Sequence, residues 1–177
     1  MRLDGRAAFI TGAAKGIGLA VAKAFAAEGA DVALADMTGD VARLEAEAIA
    51  AAHGVRAVGL ACDVADGASV KAAVDEAAGA FGKLDTLACM AATLTARQDV
   101  VDLSEEDWDR TLRVNITGSF LACKHVIPHM RAAGRGSIIL TASQMGQVAW
   151  PGSTAYCTTK GAILQLVKGI AKLKTTR

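Results

Sequence analysis

Five short apolar runs alternate with five helix-periodic stretches along the chain, and this alternation limits the possible folds more than any other feature. RAAFIT (6–11), DVALAD (31–36), VRAVGLACD (55–63), KLDTLACM (83–90) and GSIILTAS (136–143) read as strands. Between them apolar residues recur at helical spacing, as at Ile17, Ala20, Val21, Ala24 and Phe25. The strands are too continuously apolar to face water on either side. They predict a parallel sheet covered by helices on both faces, a doubly wound α/β fold. The length of 177 residues suits one domain with a real core, read as residues 1–177.

Local signals set the helix ends. Gly54 stands where a left-handed residue would end a helix over Val41–Ala52. SEED at 104–107 resembles a capping box opening a long helix through Trp108, Leu112, Asn115 and Ser119. Pro128 is expected to bend the last turns of that helix. Ser153 or Thr154 is expected to cap the final helix, in which Ile163, Leu166, Val167 and Ile170 form an apolar stripe.

The bulk numbers exclude several classes of partner. A net charge of +1 offers no strong attraction for nucleic acid or anionic lipid. Mean hydropathy is +0.34, yet no apolar run approaches the roughly 18 residues that a membrane span needs. Asp4 and Arg6 interrupt the place where a secretory signal would be apolar, so the default address is cytoplasmic. Cys62, Cys89, Cys123 and Cys157 form no CxxC pair and read as buried, reduced thiols. His53, His125 and His129 have no metal-ligand spacing with cysteine or acidic residues, and no metal site is expected. A small-molecule partner is the reading that remains.

TGAAKGIG (11–18) joins the first strand to its helix, where backbone N–H groups and the helix dipole can hold a pyrophosphate. Gly12 permits the turn, Gly16 lets the backbone approach phosphate, and Gly18 allows helix and strand to pack closely. Asp36 ends the second strand, where a carboxylate can accept from an adenosine ribose and repel a 2′-phosphate. This favours NAD. Lys15 would attract a 2′-phosphate and keeps NADP open, and Asp36 could instead simply start the next turn.

Tyr156 and Lys160 lie at i and i+4 and so share a helix face. A free phenol titrates near pH ~10. An ammonium ~4 Å away at an effective dielectric of ~20 favours a phenolate by ~4 kcal/mol, or about three pKa units. Such a pair can perform acid–base work near neutrality. Ser143 ends the fifth strand thirteen residues earlier, and Asn115 lies in the long helix.

In this order and spacing the chain resembles the short-chain dehydrogenase/reductase family over essentially its whole length. The matching motifs are the glycine turn including Ile17, the Asp63-Val64 pair, Ala91, Asn115, Ser143 and the Tyr156/Lys160 motif. The resemblance implies a Rossmann-like sheet of strand order 3-2-1-4-5 and hydride transfer between nicotinamide and a secondary alcohol or ketone. It casts Tyr156 as general acid/base, Lys160 as its electrostatic partner and a ribose ligand, and Ser143 as a donor to the substrate oxygen. Asn115 would hold a water in a proton relay reaching Lys160. Gly12, Lys15, Gly16, Ile17, Gly18, Asp36, Asp63, Val64, Ala91, Tyr156 and Lys160 are the implied cofactor contacts. The helices starting near Ser104 and Thr154 are the implied interface of a homodimer or homotetramer.

Two departures from the family stand out. Where the family has Asn-Asn-Ala-Gly, this chain has Cys89-Met90-Ala91-Ala92, so two amides are lost. The sequence also stops after AKLKTTR, before the family's last two strands and substrate-covering segment. A truncated member that binds nucleotide or oligomerises without turnover is therefore the alternative expectation.

Overall fold

The computed structural model describes residues 1–172; of the basic ending read in AKLKTTR, residues 173–177 lie outside them. Five strands, β1 (Ala7–Thr11), β2 (Asp31–Asp36), β3 (Ala57–Ala61), β4 (Thr86–Cys89) and β5 (Ser137–Leu140), form one sheet ordered β3-β2-β1-β4-β5. Every pairing is parallel. The helices are α1 (Gly16–Ala27), α2 (Gly39–His53), α3 (Gly67–Phe81), α4 (Glu105–Leu112), α5 (Gly118–Ala132) and α6 (Thr154–Ala171). This is the expected doubly wound fold.

Side chains alternate across the strands, and each face collects its own core. Phe9 and Leu87 point to the face where Val70, Val74, Ala122 and Val126 of α3 and α5 pack. Ile10, Val32 and Leu34 point to the other, against Ala22 and Ala26 of α1 and Ala42 and Ile49 of α2. These residues are almost fully buried. Removing such a side chain as large as Leu87 costs about 2–5 kcal/mol through lost transfer energy and the cavity left behind.

Small residues let helices ride directly on strands. A Cβ at Gly39 would stand 2.7 Å from the Cβ of Ala61, and one at Gly59 would run into the backbone of Ala42 and Arg43. The chain is 53% hydrophobic but only 4% aromatic, so close backbone approach replaces bulk as the means of filling space.

Several boundaries differ from the sequence reading. β3, β4 and β5 are shorter than their apolar runs, because flanking residues serve side-chain bonds instead. Arg56, for example, sends its N–H to Asp31 Oδ1 at 2.9 Å, and its guanidinium also binds Asp31. Ser104 accepts from the N–H of Asp107 at 3.1 Å, confirming the helix start. The long helix is interrupted: residues Arg113–Thr117 adopt π-helical bonding between α4 and α5. This interruption lies upstream of Pro128, past which α5 continues to Ala132. Ser153 is the N-cap residue of α6 but makes no side-chain cap bond. β5, on the sheet edge, also departs from full burial, with Ser137 and Ile139 exposed.

The strand N-termini are fastened by a buried carboxylate. Asp85 is fully buried, and its Oδ2 accepts from Arg135 Nε at 3.1 Å while Arg6 stands 3.9 Å away. Its Oδ1 accepts from the Ala7 N–H at 3.3 Å and Thr86 Oγ1 at 3.0 Å. Arg135 also donates to Gly5 O, so one guanidinium joins the chain start to β4 and β5. A buried carboxylate that loses its main donor is costly. Arg135→Ala should lower the unfolding free energy by about 1.5–3 kcal/mol, the usual worth of a charged hydrogen bond. Urea denaturation checks this, and an unchanged midpoint would show that Arg6 alone suffices.

Candidate active site

The C-terminal ends of β1, β2, β4 and β5 converge with the N-termini of α1 and α6, as expected for a parallel sheet. Gly12 leaves β1 with φ +65°, and a Cβ there would stand 2.8 Å from the Cα and N of Ala91. Gly18 approaches the Gly12 carbonyl so closely that any side chain would collide with it. Gly16 has φ +59°, and apart from its chain neighbours and its own helix backbone no described heavy atom lies within 4 Å of where its Cβ would be. The cradle therefore opens at Gly16 and is closed behind Gly12 and Gly18. At its mouth Lys15, the N-cap residue of α1, makes no side-chain cap bond, and the first turn carries no acidic residue. Ile17 is exposed beside it. These features fit an anionic phosphate group.

Asp36 does more than end β2. Its Oδ2 accepts from the Ala14 N–H at 3.1 Å, and its Oδ1 from the N–H and hydroxyl of Thr38 at 3.0 and 2.8 Å. The Ala13 N–H reaches Ala35 O at 3.4 Å. The glycine turn is thus hooked to the neighbouring strand by the carboxylate that sequence reasoning assigned to a ribose. Burial pushes the Asp36 carboxyl up, but the bonds from Thr38 and Ala14 and the charge of Lys15 outweigh it and hold the group below its ordinary value.

Asp63 follows β3, with its Oδ1 accepting from the Ala65 N–H at 2.9 Å and its own N–H donating to Ser69 Oγ at 3.0 Å. Val64 is buried against Gly118, the first residue of α5. Beside them the Cys62 thiol is pushed up to about 11, by burial first and then by Asp63, Asp36 and Asp66. It stays protonated and inert. The neighbouring Cys123 thiol, and burial after it, push the Cys89 thiol up, and all four cysteines are free.

Asn115 lies in the π-helical stretch and is 2% exposed. Its Oδ1 accepts from the Thr93 N–H at 2.8 Å, and its Nδ2 donates to Thr93 O at 3.0 Å and to Thr159 Oγ1 at 3.1 Å. Both amide protons are used. The side chain is a clamp between the loop after β4 and α6, with no proton left to donate to a relay water. The backbone carbonyl of Asn115 accepts from Ser119 Oγ at 2.9 Å.

Lys160, one residue beyond Thr159, is 4% exposed and donates from Nζ to Thr141 O at 2.7 Å. Nζ lies 5.5 Å from the centroid of the Tyr156 ring, so the pair shares a helix face as the spacing required. Burial pushes the Lys160 ammonium below its ordinary value. Ser143 Oγ accepts from the Met145 N–H at 3.2 Å, which leaves its proton free to donate. Sequence reasoning missed Gly146 and Thr141. A Cβ at Gly146 would stand 2.6 Å from Lys160 O, so the short turn Gln144–Gly146 seats directly on the backbone of α6. The run Ser143–Gly146 held that clue only as a glycine three residues after a candidate serine.

Among the described residues no helix is long and apolar enough to cross a membrane, and no group of three His, Cys, Asp or Glu could hold a metal ion.

A Rossmann-like sheet with a glycine turn and an i, i+4 tyrosine–lysine pair defines the class, and comparison with known proteins defines the family. The short chain dehydrogenase family model matches residues 6–176, and the chain belongs to that family. It is 42% identical to the D-threitol dehydrogenase of Mycolicibacterium smegmatis over 96% of this chain and 65% of that protein. It is 38% identical to the secoisolariciresinol dehydrogenase of Forsythia intermedia over 96% of this chain and 61% of that one. The chain thus spans less than two thirds of the length of these relatives. A carveol dehydrogenase from Mycobacterium avium solved with NAD superposes with a TM-score of 0.92 at 30% identity, covering 96% of this chain and 66% of that one. An NAD+-bound xylitol dehydrogenase gives 0.92 at 35% identity, covering 97% and 65%.

Two outcomes follow from this geometry. Gly146→Ala should cost about 1–3 kcal/mol, because the carbonyl it meets is backbone and cannot rotate away. Equal thermal melts for variant and wild type would contradict that packing. The lowered Asp36 carboxyl contributes stability that is complete above the ordinary Asp value of ~3.9 and lost as the pH falls through its lower folded value. The stability gap between wild type and Asp36→Asn should therefore close in acid, as measured by denaturation at several pH values.

Proposed function

We propose that this chain is a single dinucleotide-binding domain of an NAD-dependent oxidoreductase acting on a secondary alcohol or its ketone. The carrying observation is the buried Lys160, held by Thr141 O beneath the Tyr156 ring, on the helix that Gly146 seats beside Ser143. An ion pair on a solvated helix surface would need none of this support.

Nicotinamide, when bound, supplies the acceptor for a hydride leaving the carbinol carbon. Tyr156 takes the hydroxyl proton as that hydride departs, and returns a proton to the oxygen in the reverse direction. Lys160 places a positive charge beside the Tyr156 ring. Ser143 donates to the substrate oxygen and fixes its distance from Tyr156. Asn115 secures α6 through Thr159, and its two carbonyl oxygens, side-chain and backbone, are the acceptors it can offer a relay water. Gly12, Lys15, Gly16, Ile17 and Gly18 receive the pyrophosphate, with Asp63, Val64 and Ala91 lining the way to the sheet.

Asp36 supports NAD over NADP, since a carboxylate repels a 2′-phosphate. The NAD-bound neighbours agree with that preference. Self-association through α4, α5 and α6 is part of the same reading, supported by the exposed Phe120 on α5.

NADH should raise the melting temperature of the chain, because a ligand of the folded state alone must do so. Tyr156→Phe should keep that shift while lowering turnover of secondary alcohols by at least ~100-fold, at the lower end for lost general acid–base catalysis. Binding without turnover in the wild type would point to the impaired alternative, and equal activity of wild type and variant would remove Tyr156 from the mechanism.

A further inference from the structure

Lys160 depends on one backbone carbonyl, and that carbonyl belongs to a residue whose side chain is held from elsewhere. Thr141 follows β5; its hydroxyl donates to the sulfur of Met90 at 3.0 Å while its carbonyl accepts from Lys160 Nζ. Met90 follows β4, and its N–H donates to Thr11 Oγ1 at 3.2 Å, as does that of Ala91. A Cβ at Gly12 would stand 3.1 Å from the carbonyl carbon of Met90. Met90 therefore touches the end of β1 where the glycine turn begins, and the end of β5 where the lysine is anchored.

Packing alone does not account for the contact. A threonine hydroxyl at a strand end can donate to a backbone carbonyl, which is a stronger acceptor than a thioether. Here it is directed at sulfur instead. Thioethers are polarizable and accept weakly, and the long unbranched side chain can reach across from β4 to β5. This is also the position where the chain departs from the family's amide. Lys160 makes no salt bridge among the described residues, so Thr141 O is its one hydrogen-bond acceptor there.

We propose that Met90 is a positioning residue, whose sulfur fixes Thr141 and through it the placement of the Lys160 ammonium under Tyr156. The step to catalysis rests on the function proposed above, in which Lys160 assists Tyr156. The structural step does not.

Four variants of the full chain test it: Met90→Leu, Thr141→Val, their combination, and Met90→Gln, which restores an acceptor of similar reach. The first readout is the 13Cε resonance of Lys160, assigned by its loss in Lys160→Met. Met90→Leu and Thr141→Val should each move this resonance in the same direction, and the double variant should move it no further, as expected for residues acting through one contact. Met90→Gln should return it to the wild-type position. The second readout is ketone reduction with NADH. kcat should fall roughly tenfold or more, within the ~100-fold that a 1 Å misplacement can bring.

A Lys160 resonance unmoved in both single variants would overturn the proposal, even if stability fell. Additive shifts in the double variant would overturn it too. If the wild type turns over no substrate, the function proposed above fails, while the resonance and its rescue by Met90→Gln still decide whether Met90 positions Lys160.

Discussion

Three hydrogen bonds from one buried amide, that of Asn115, bring the separate parts of this site into register. Two pair with the backbone of Thr93 in the loop after β4, and the third reaches Thr159 on α6. Thr159 in turn donates to Tyr156 O at 2.8 Å. An amide can serve a backbone N–H and C=O at once, which neither a carboxylate nor an ammonium can do. The π-helical stretch around Asn115 widens the helix locally where this contact is made, a common device at functional sites. Without the clamp, α6 would still pack on its apolar residues and keep the contacts of Lys160 with Thr141 and Gly146, but it would lose its tie to the loop after β4.

The two ends of the sheet are built on different principles. At the N-terminal ends of the strands, Asp85 is surrounded by donors from Arg135, Ala7 and Thr86, and Arg56 binds both Asp31 and the carbonyls ending α3. These contacts are charged and redundant. At the C-terminal ends, contacts are fewer in charge and largely between backbone and side chain: Asp36 to Ala14, Thr11 to Met90 and Ala91, Thr141 to Lys160. Such an arrangement holds the scaffold firmly at one end and leaves polar groups facing a ligand at the other.

What the sequence disclosed follows the same division between local and distant causes. The roles of Gly12 and Gly18 were legible because a left-handed turn and a close helix approach are demands that a short segment makes on itself. Ser104 was legible as a cap for the same reason, and the strand–helix alternation gave the parallel sheet, whose order the family resemblance implied. Ser143, Tyr156 and Lys160 were found by spacing, and the structure places Ser143 at the start of the turn Gln144–Gly146, three residues past β5, and the other two on α6. The interruption at Arg113–Thr117 was not foreseeable, because it answers to Thr93 and Thr159, which are distant in the chain. Gly146 and Thr141 were hidden similarly, their importance residing in a backbone on another element. Asp36 was read as a ligand group or as the start of the next turn, and its bonds to Thr38 are local, but nothing in its neighbourhood of sequence mentions Ala14, twenty-two residues earlier.

The hook between Asp36 and the glycine turn bears on any attempt to redesign the nucleotide preference. Replacing the carboxylate by a small neutral residue would remove a negative charge and, in the same step, the acceptor that orients the Ala14 N–H. The loosened turn would weaken affinity for every nucleotide and so offset the relief of repulsion felt by a 2′-phosphate. A successful exchange would therefore need to supply a new acceptor for Ala14 before it supplied a new partner for phosphate.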